Sequence, residues 1–129
     1  MAAERMRSPL GRAIGLGSAK EGVGHWWAQR VTALALVPLA LWFVAGVIAL
    51  AGTDRAVFVA WVSHPVPAVL LVLLLIATFY HAALGLQVVI EDYIHAEAVR
   101  LGALIVMRLL CFALAVLGIF AVLKMAFAA

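Results

Sequence analysis

Three long apolar blocks, separated by short polar stretches, dominate the chain. The first, residues 31–52, carries no charge before Gly52 and contains Pro38 and Trp42. The second, residues 66–90, is also uncharged and holds a single histidine, His81. The third, residues 101–127, includes Arg108 and Lys124. Each exceeds the roughly 20 residues that cross a ~30 Å hydrocarbon core at ~1.5 Å per residue. In lipid, a single segment satisfies its own N–H and C=O groups only as a helix. The pattern therefore predicts an all-α integral membrane protein of three transmembrane helices, preceded by a polar and interfacial N-terminal segment over residues 1–30.

The connections are short. The first opens with AGTDR at 51–55, and residues 56–63 are expected to lie along the interface with Trp61 as an anchor. HPVP at 64–67 reads as a turn into the second span, because proline is tolerated in a helix's first turn. The second connection, residues 91–100, is polar and acidic. Pro38, inside the first span, is expected to kink it or to mark where a neighbour packs.

Composition strengthens the membrane reading. The chain is 68% hydrophobic and 12% charged, whereas soluble domains average roughly 45–50% apolar and about 25% charged. Such a chain cannot cover a water-facing surface. Its net charge of +3 does not point to nucleic acid, since the basic residues form no long run. They act as topology signals instead. Arg5, Arg7, Arg12, Lys20, Arg30 and Arg100 fall on one side of three spans, and Arg55 and Lys124 on the other. This places the N-terminus in the cytoplasm and the C-terminus outside. Trp26 and Trp27 suit the interfacial aromatic belt. Residues 1–30 carry charges throughout and lack an apolar core of signal-peptide length, so no cleavable signal is expected. The one cysteine, Cys111, precludes an intrachain disulfide and reads as a small packing residue.

Few residues carry chemistry. His81 lies about 14 Å along the axis from Ile90 at ~1.5 Å per residue, near mid-membrane. A polar side chain at this depth is a functional-site candidate. Ala77, Thr78, Gly85, Val88 and Asp92 share its helical face, and Ala77 and Gly85 leave the backbone nearly bare beside the imidazole. That clearance suits a flat macrocycle bound to the histidine, but also plain helix packing. The residues alone leave interhelical hydrogen bonding and cofactor ligation both open. His25, His64 and His95 sit at or beyond the membrane edges. A haem with two histidine ligands would therefore take its second one from another chain.

Asp92 and Tyr93 follow at the end of the second span. A phenol can donate to a quinone carbonyl and a carboxylate can orient it, although tyrosine also belongs to the interfacial belt. Arg30 enters the first span, either as a partner for haem propionates or quinone, or as one more topology arginine. Arg108 lies about two turns into the third span, where it either snorkels to the surface or meets a buried propionate. No dinucleotide fingerprint, Walker loop, CxxC pair or nucleophile elbow is present. Catalysis would depend on other subunits or bound cofactors.

The stretch SAKEG at 18–22, leading to HWWAQRVTA at 25–33 with Pro38 and Trp42 beyond, resembles the hydrophobic membrane anchor of bacterial succinate dehydrogenase (complex II), the smaller of its two cytochrome b-type anchors. In the second span, HAALG at 81–85 followed by EDY at 91–93 resembles that family's haem-ligand and quinone-site signature. The other anchor of the same enzyme typically has a His-Arg-x-Ser/Thr-Gly stretch, for which this chain reads QRVTA at 29–33.

The resemblance implies a multi-pass subunit of the bacterial cytoplasmic (inner) membrane, spanning roughly residues 8–127. It would pair with the second anchor and hold the iron–sulfur and flavoprotein subunits, while electrons from succinate pass to ubiquinone. By motif, His81 would be one axial ligand of a haem b shared between the anchors. Tyr93 would hydrogen-bond the quinone with Asp92 beside it, and Arg30 would lie near haem and quinone. Arg108 matches no motif. Two other functions are compatible with the same residues: a small transporter using His81 in proton relay, and a structural anchor without haem.

Overall fold

In the computed structural model the described residues are 8–13 and 22–127, with the side chain of Arg12 left aside. Arg5, Arg7 and Lys20 of the charge asymmetry, and residues 18–21 of the first motif, lie outside them. The described chain is helical: α1 (Pro9–Ala13), α2 (Gly22–Leu50), α3 (Arg55–Ser63), α4 (Pro65–Tyr93) and α5 (Glu97–Phe127). Helices α2, α4 and α5 are each long and apolar enough to cross a membrane. The three spans expected from the apolar blocks are present.

The helices outrun those blocks. Helix α2 starts at Gly22 rather than at residue 31, α4 continues to Tyr93, and α5 begins at Glu97. Backbone hydrogen bonding does not stop where lipid does, so the blocks mark the lipid-facing portions and not the helix ends. Helix α2 continues through Pro38, whose side chain is exposed.

Local signals set the turns. Gly52 takes φ +80°, the left-handed conformation that glycine adopts without a Cβ penalty, and reverses the chain after α2. His64 caps α4, with Nδ1 accepting from the Val66 N–H at 3.4 Å and Pro65 in the first turn. Only Ile94, His95 and Ala96 separate α4 from α5, which makes them antiparallel neighbours.

Helix α4 is the central element, packed against α2 on one side and α5 on the other, with α3 folded back on α4 and α5. Small residues permit the approach. A Cβ on Gly118 would stand 3.1 Å from both terminal methyls of Leu75, so α5 meets α4 there over bare backbone. A Cβ on Gly46 would stand 3.0 Å from the Trp61 ring, and Trp61 stacks on Trp42 with centroids 5.5 Å apart. Trp61 thus joins α3 to α2.

The buried core gathers at the α3 end: Val62, Ala68 and Val122, backed by Trp61, Leu75 and Met125. Ser63 Oγ donates within this region to Val59 O (2.7 Å) and lies 3.1 Å from Met125 O. Elsewhere large apolar side chains are mostly exposed, including Leu34, Leu41, Phe112 and Phe120. That surface requires lipid or partner helices.

Gly118→Leu is expected to wedge α4 and α5 apart. Overpacking of this kind costs about 1–3 kcal/mol. Thermal unfolding of the detergent-purified protein measures it, and an unshifted midpoint would show that the contact is not limiting.

Candidate functional site

One group of polar side chains inside the spans gathers where α2 passes α4. Gln29 and Thr32 are three residues apart on α2 and therefore share a face. That face meets His81 of α4. Thr32 Oγ1 lies 2.9 Å from His81 Nδ1, and Gln29 Nε2 lies 3.5 Å from His81 Nε2. The imidazole is half-buried with a polar side chain at each nitrogen.

Thr32 is further engaged. Its hydroxyl lies 2.8 Å from Ala28 O and 3.1 Å from Gln29 O, the back-bonding geometry of a threonine inside a helix. Gln29 Oε1 is buried without a partner. A buried acceptor left unpaired costs about 1–3 kcal/mol, which makes Gln29 the least settled member of the group.

Gly85, one turn beyond His81, stands beside this same amide: a Cβ there would lie 3.5 Å from Gln29 Nε2. The space expected to be open next to the imidazole is taken by the Gln29 side chain. Among the described residues, no three His, Cys, Asp or Glu side chains gather to hold a metal ion. At this seam the described residues offer the His81 imidazole alone, a donor that could fill one axial position of a metal.

The remaining candidates lie apart from this group. Asp92 and Tyr93 close α4 and are exposed, Tyr93 to 79%. Tyr93 is 12 residues beyond His81, about 18 Å along the axis at ~1.5 Å per residue. Arg30 is exposed on α2 and places its guanidinium 5.5 Å from the ring centroid of Trp26, which stacks on Trp27 at 6.0 Å. The cation–π contact keeps Arg30 at the level of the aromatic belt, one residue from Gln29.

Arg108 lies at the α4–α5 seam, where it donates to Gln87 Oε1 at 2.8 Å, and Gln87 donates to Glu91 Oε1 at 2.8 Å. It lines a mainly apolar cavity of about 500 Å³ together with Tyr80, Phe79, Cys111 and Phe112. His81 instead contacts α2. The structure therefore brings together His81, Thr32 and Gln29, sets Arg30 beside them in sequence, and leaves Asp92, Tyr93 and Arg108 at separate places.

Gln29, Thr32 and Gln87 received no role from the sequence. Their signal was present: a glutamine and a threonine at helical spacing, where an apolar span begins, need polar partners. Which helix supplies the partner is a tertiary fact.

Comparison with known proteins places the chain among membrane anchor subunits. Residues 4–117 match the model of the succinate dehydrogenase/fumarate reductase transmembrane subunit family. The chain is 37% identical over 103 residues to the succinate dehydrogenase hydrophobic membrane anchor subunit of Rickettsia bellii, covering 80% of this chain and 82% of that one. It is 33% identical to the same subunit of Rickettsia conorii, over 81% and 84% of the two chains. The subunit of that name from Paracoccus denitrificans is 36% identical, over 69% of each chain. With most of its length matched and its three spans in place, the chain belongs to the succinate dehydrogenase/fumarate reductase transmembrane subunit family.

Proposed function

We propose that this chain is the hydrophobic membrane anchor of a bacterial succinate:ubiquinone oxidoreductase, sharing a haem b with a second cytochrome b-type anchor and contributing to the ubiquinone site. The observation that carries the reading is His81: an imidazole in the middle of a span, gripped at Nδ1 by Thr32, within the family's HAALG…EDY pattern. The subunit is non-catalytic towards succinate. In this reading it lies in the cytoplasmic membrane with its N-terminus inside, and the iron–sulfur and flavoprotein subunits dock on the cytoplasmic face.

The chain's own residues divide the work. His81 supplies one axial ligand. When bound, haem b supplies a one-electron store within the membrane. Tyr93, exposed at the end of α4, donates its phenol proton as a hydrogen bond to a quinone carbonyl, and Asp92 next to it accepts or relays protons from water. Arg30 beside Gln29 supplies positive charge for a propionate or for quinone. Arg108, held by Gln87, is a separate cation in the α4–α5 seam.

Co-expression with the two soluble subunits and the second anchor tests the assignment. A tag on this chain is expected to retrieve all four polypeptides with a b-type absorption on reduction. Retrieval of the complete quinone reductase without that absorption would replace the haem reading by a purely structural anchor. Proton flux through the chain reconstituted alone would favour a transporter.

A further inference from the structure

We infer that Thr32 and Gln29 present His81 for ligation as a pair: Thr32 fixes the imidazole tautomer through Nδ1, and Gln29 caps the Nε2 lone pair until it is used. This rests on the reading of His81 as an axial ligand and adds two positioning residues to it.

The roles follow from counting protons. A threonine hydroxyl has one proton to donate and lone pairs to accept with. Two carbonyls, Ala28 O at 2.8 Å and Gln29 O at 3.1 Å, stand within reach of Thr32 Oγ1, and carbonyls only accept. The hydroxyl proton goes to the nearer, Ala28 O. A lone pair of Oγ1 then faces His81 Nδ1 at 2.9 Å, and the nitrogen opposite it carries the proton. In a neutral imidazole the other nitrogen, Nε2, keeps its lone pair. The group that faces Nε2 agrees: the Gln29 amide nitrogen, which only donates, at 3.5 Å.

The two contacts differ in strength. The Thr32 contact is short and anchored to backbone, which holds the ring's rotation and proton position. The Gln29 contact is at the limit of hydrogen-bond length, and its Oε1 is buried without a donor. Gln29 therefore surrenders little when it leaves. Were His81 to hold an iron, Nε2 would be the atom offered, and Gln29 would give up its contact there while the proton stays on Nδ1. An acceptor on Nδ1–H would also orient the ring, as outer-shell partners of metal-bound histidines do.

The test uses the full chain in lipid bilayers without haem, labelled with ¹⁵N-histidine, with His81→Gln identifying the His81 signals. The wild type is expected to show a protonated Nδ1 and an unprotonated Nε2. Thr32→Val removes the acceptor and should transfer the proton to Nε2, while Thr32→Ser should restore the original pattern. A wild-type spectrum with the proton on Nε2, or one unmoved in Thr32→Val, overturns the assignment of Thr32. These signals require no haem, so they stand or fall separately from the ligand reading. In the assembled complex, Thr32→Val should raise the haem midpoint potential and Thr32→Ser should return it, because an imidazole whose Nδ1–H lacks an acceptor would donate less electron density to ferric iron. In the haem-free chain, Gln29→Leu should shift the His81 Nε2 signal while the proton stays on Nδ1, and an Nε2 signal unmoved in Gln29→Leu would overturn the cap.

Discussion

In membranes containing the assembled subunits, His81→Ala is expected to abolish the b-type absorption. On the proposed reading His81 is the ligand, and the side chains against its ring cannot replace it: Thr32 and Gln29 bear a hydroxyl and an amide. Removing an outer-shell partner of a metal ligand costs about 10–100-fold in metal affinity, so loss of the ligand itself should cost more. The fold should survive. Thr32 keeps its bond to Ala28 O, and the new defect is a second unpaired group on Gln29, whose Oε1 already lacks a donor. His81→Gln separates the two effects, since it restores a hydrogen-bonding side chain of similar reach without an imidazole. Haem content and the reduced-minus-oxidised spectrum measure the outcome. A b-type band that persists in His81→Ala would remove His81 as a ligand.

Tyr93→Phe should impair quinone reduction while succinate oxidation by an artificial acceptor continues at its normal rate. A neutral hydrogen bond contributes about 0.5–1.5 kcal/mol, and a positioned proton donor contributes typically 10²–10⁴-fold. A fall of at least about 100-fold in kcat/KM for ubiquinone is expected if the phenol does both. Its 79% exposure makes Tyr93 a favourable position for this experiment. Surface substitutions of this kind shift stability by only about 0.5 kcal/mol, so a loss of rate cannot be attributed to unfolding. Unchanged quinone kinetics would exclude Tyr93 from the site.

Lipid makes some features of such a chain easy to read and hides others. The spans follow from the apolar blocks because every backbone group must be satisfied inside its own segment. His81 was identifiable for the same reason: a lone imidazole among apolar residues requires a partner. The partner's identity was not readable. Gly85 suggested open space, but the space beside it holds a glutamine from another helix. Which face of α4 meets α5 is set by close packing at Gly118, where the decisive feature is an absent side chain and not a chemical motif. Trp61 illustrates the same limit. Its type suits an interface anchor, yet Gly46 and Trp42 give it a packing site on α2. Arg108 was conspicuous by its depth, whereas its support by Gln87 required the register of α4 against α5.

The position of the core bears on assembly. Val62, Ala68 and Val122 lie together where α3 folds back, and Ala68 precedes His81 by 13 residues, about 20 Å of helix. Around His81 the polar contacts between α2 and α4 are two, one of them weak. The bundle is thus pinned hardest at one end. On the proposed reading, a haem and a second anchor settling beside His81 would meet the bundle away from that pin.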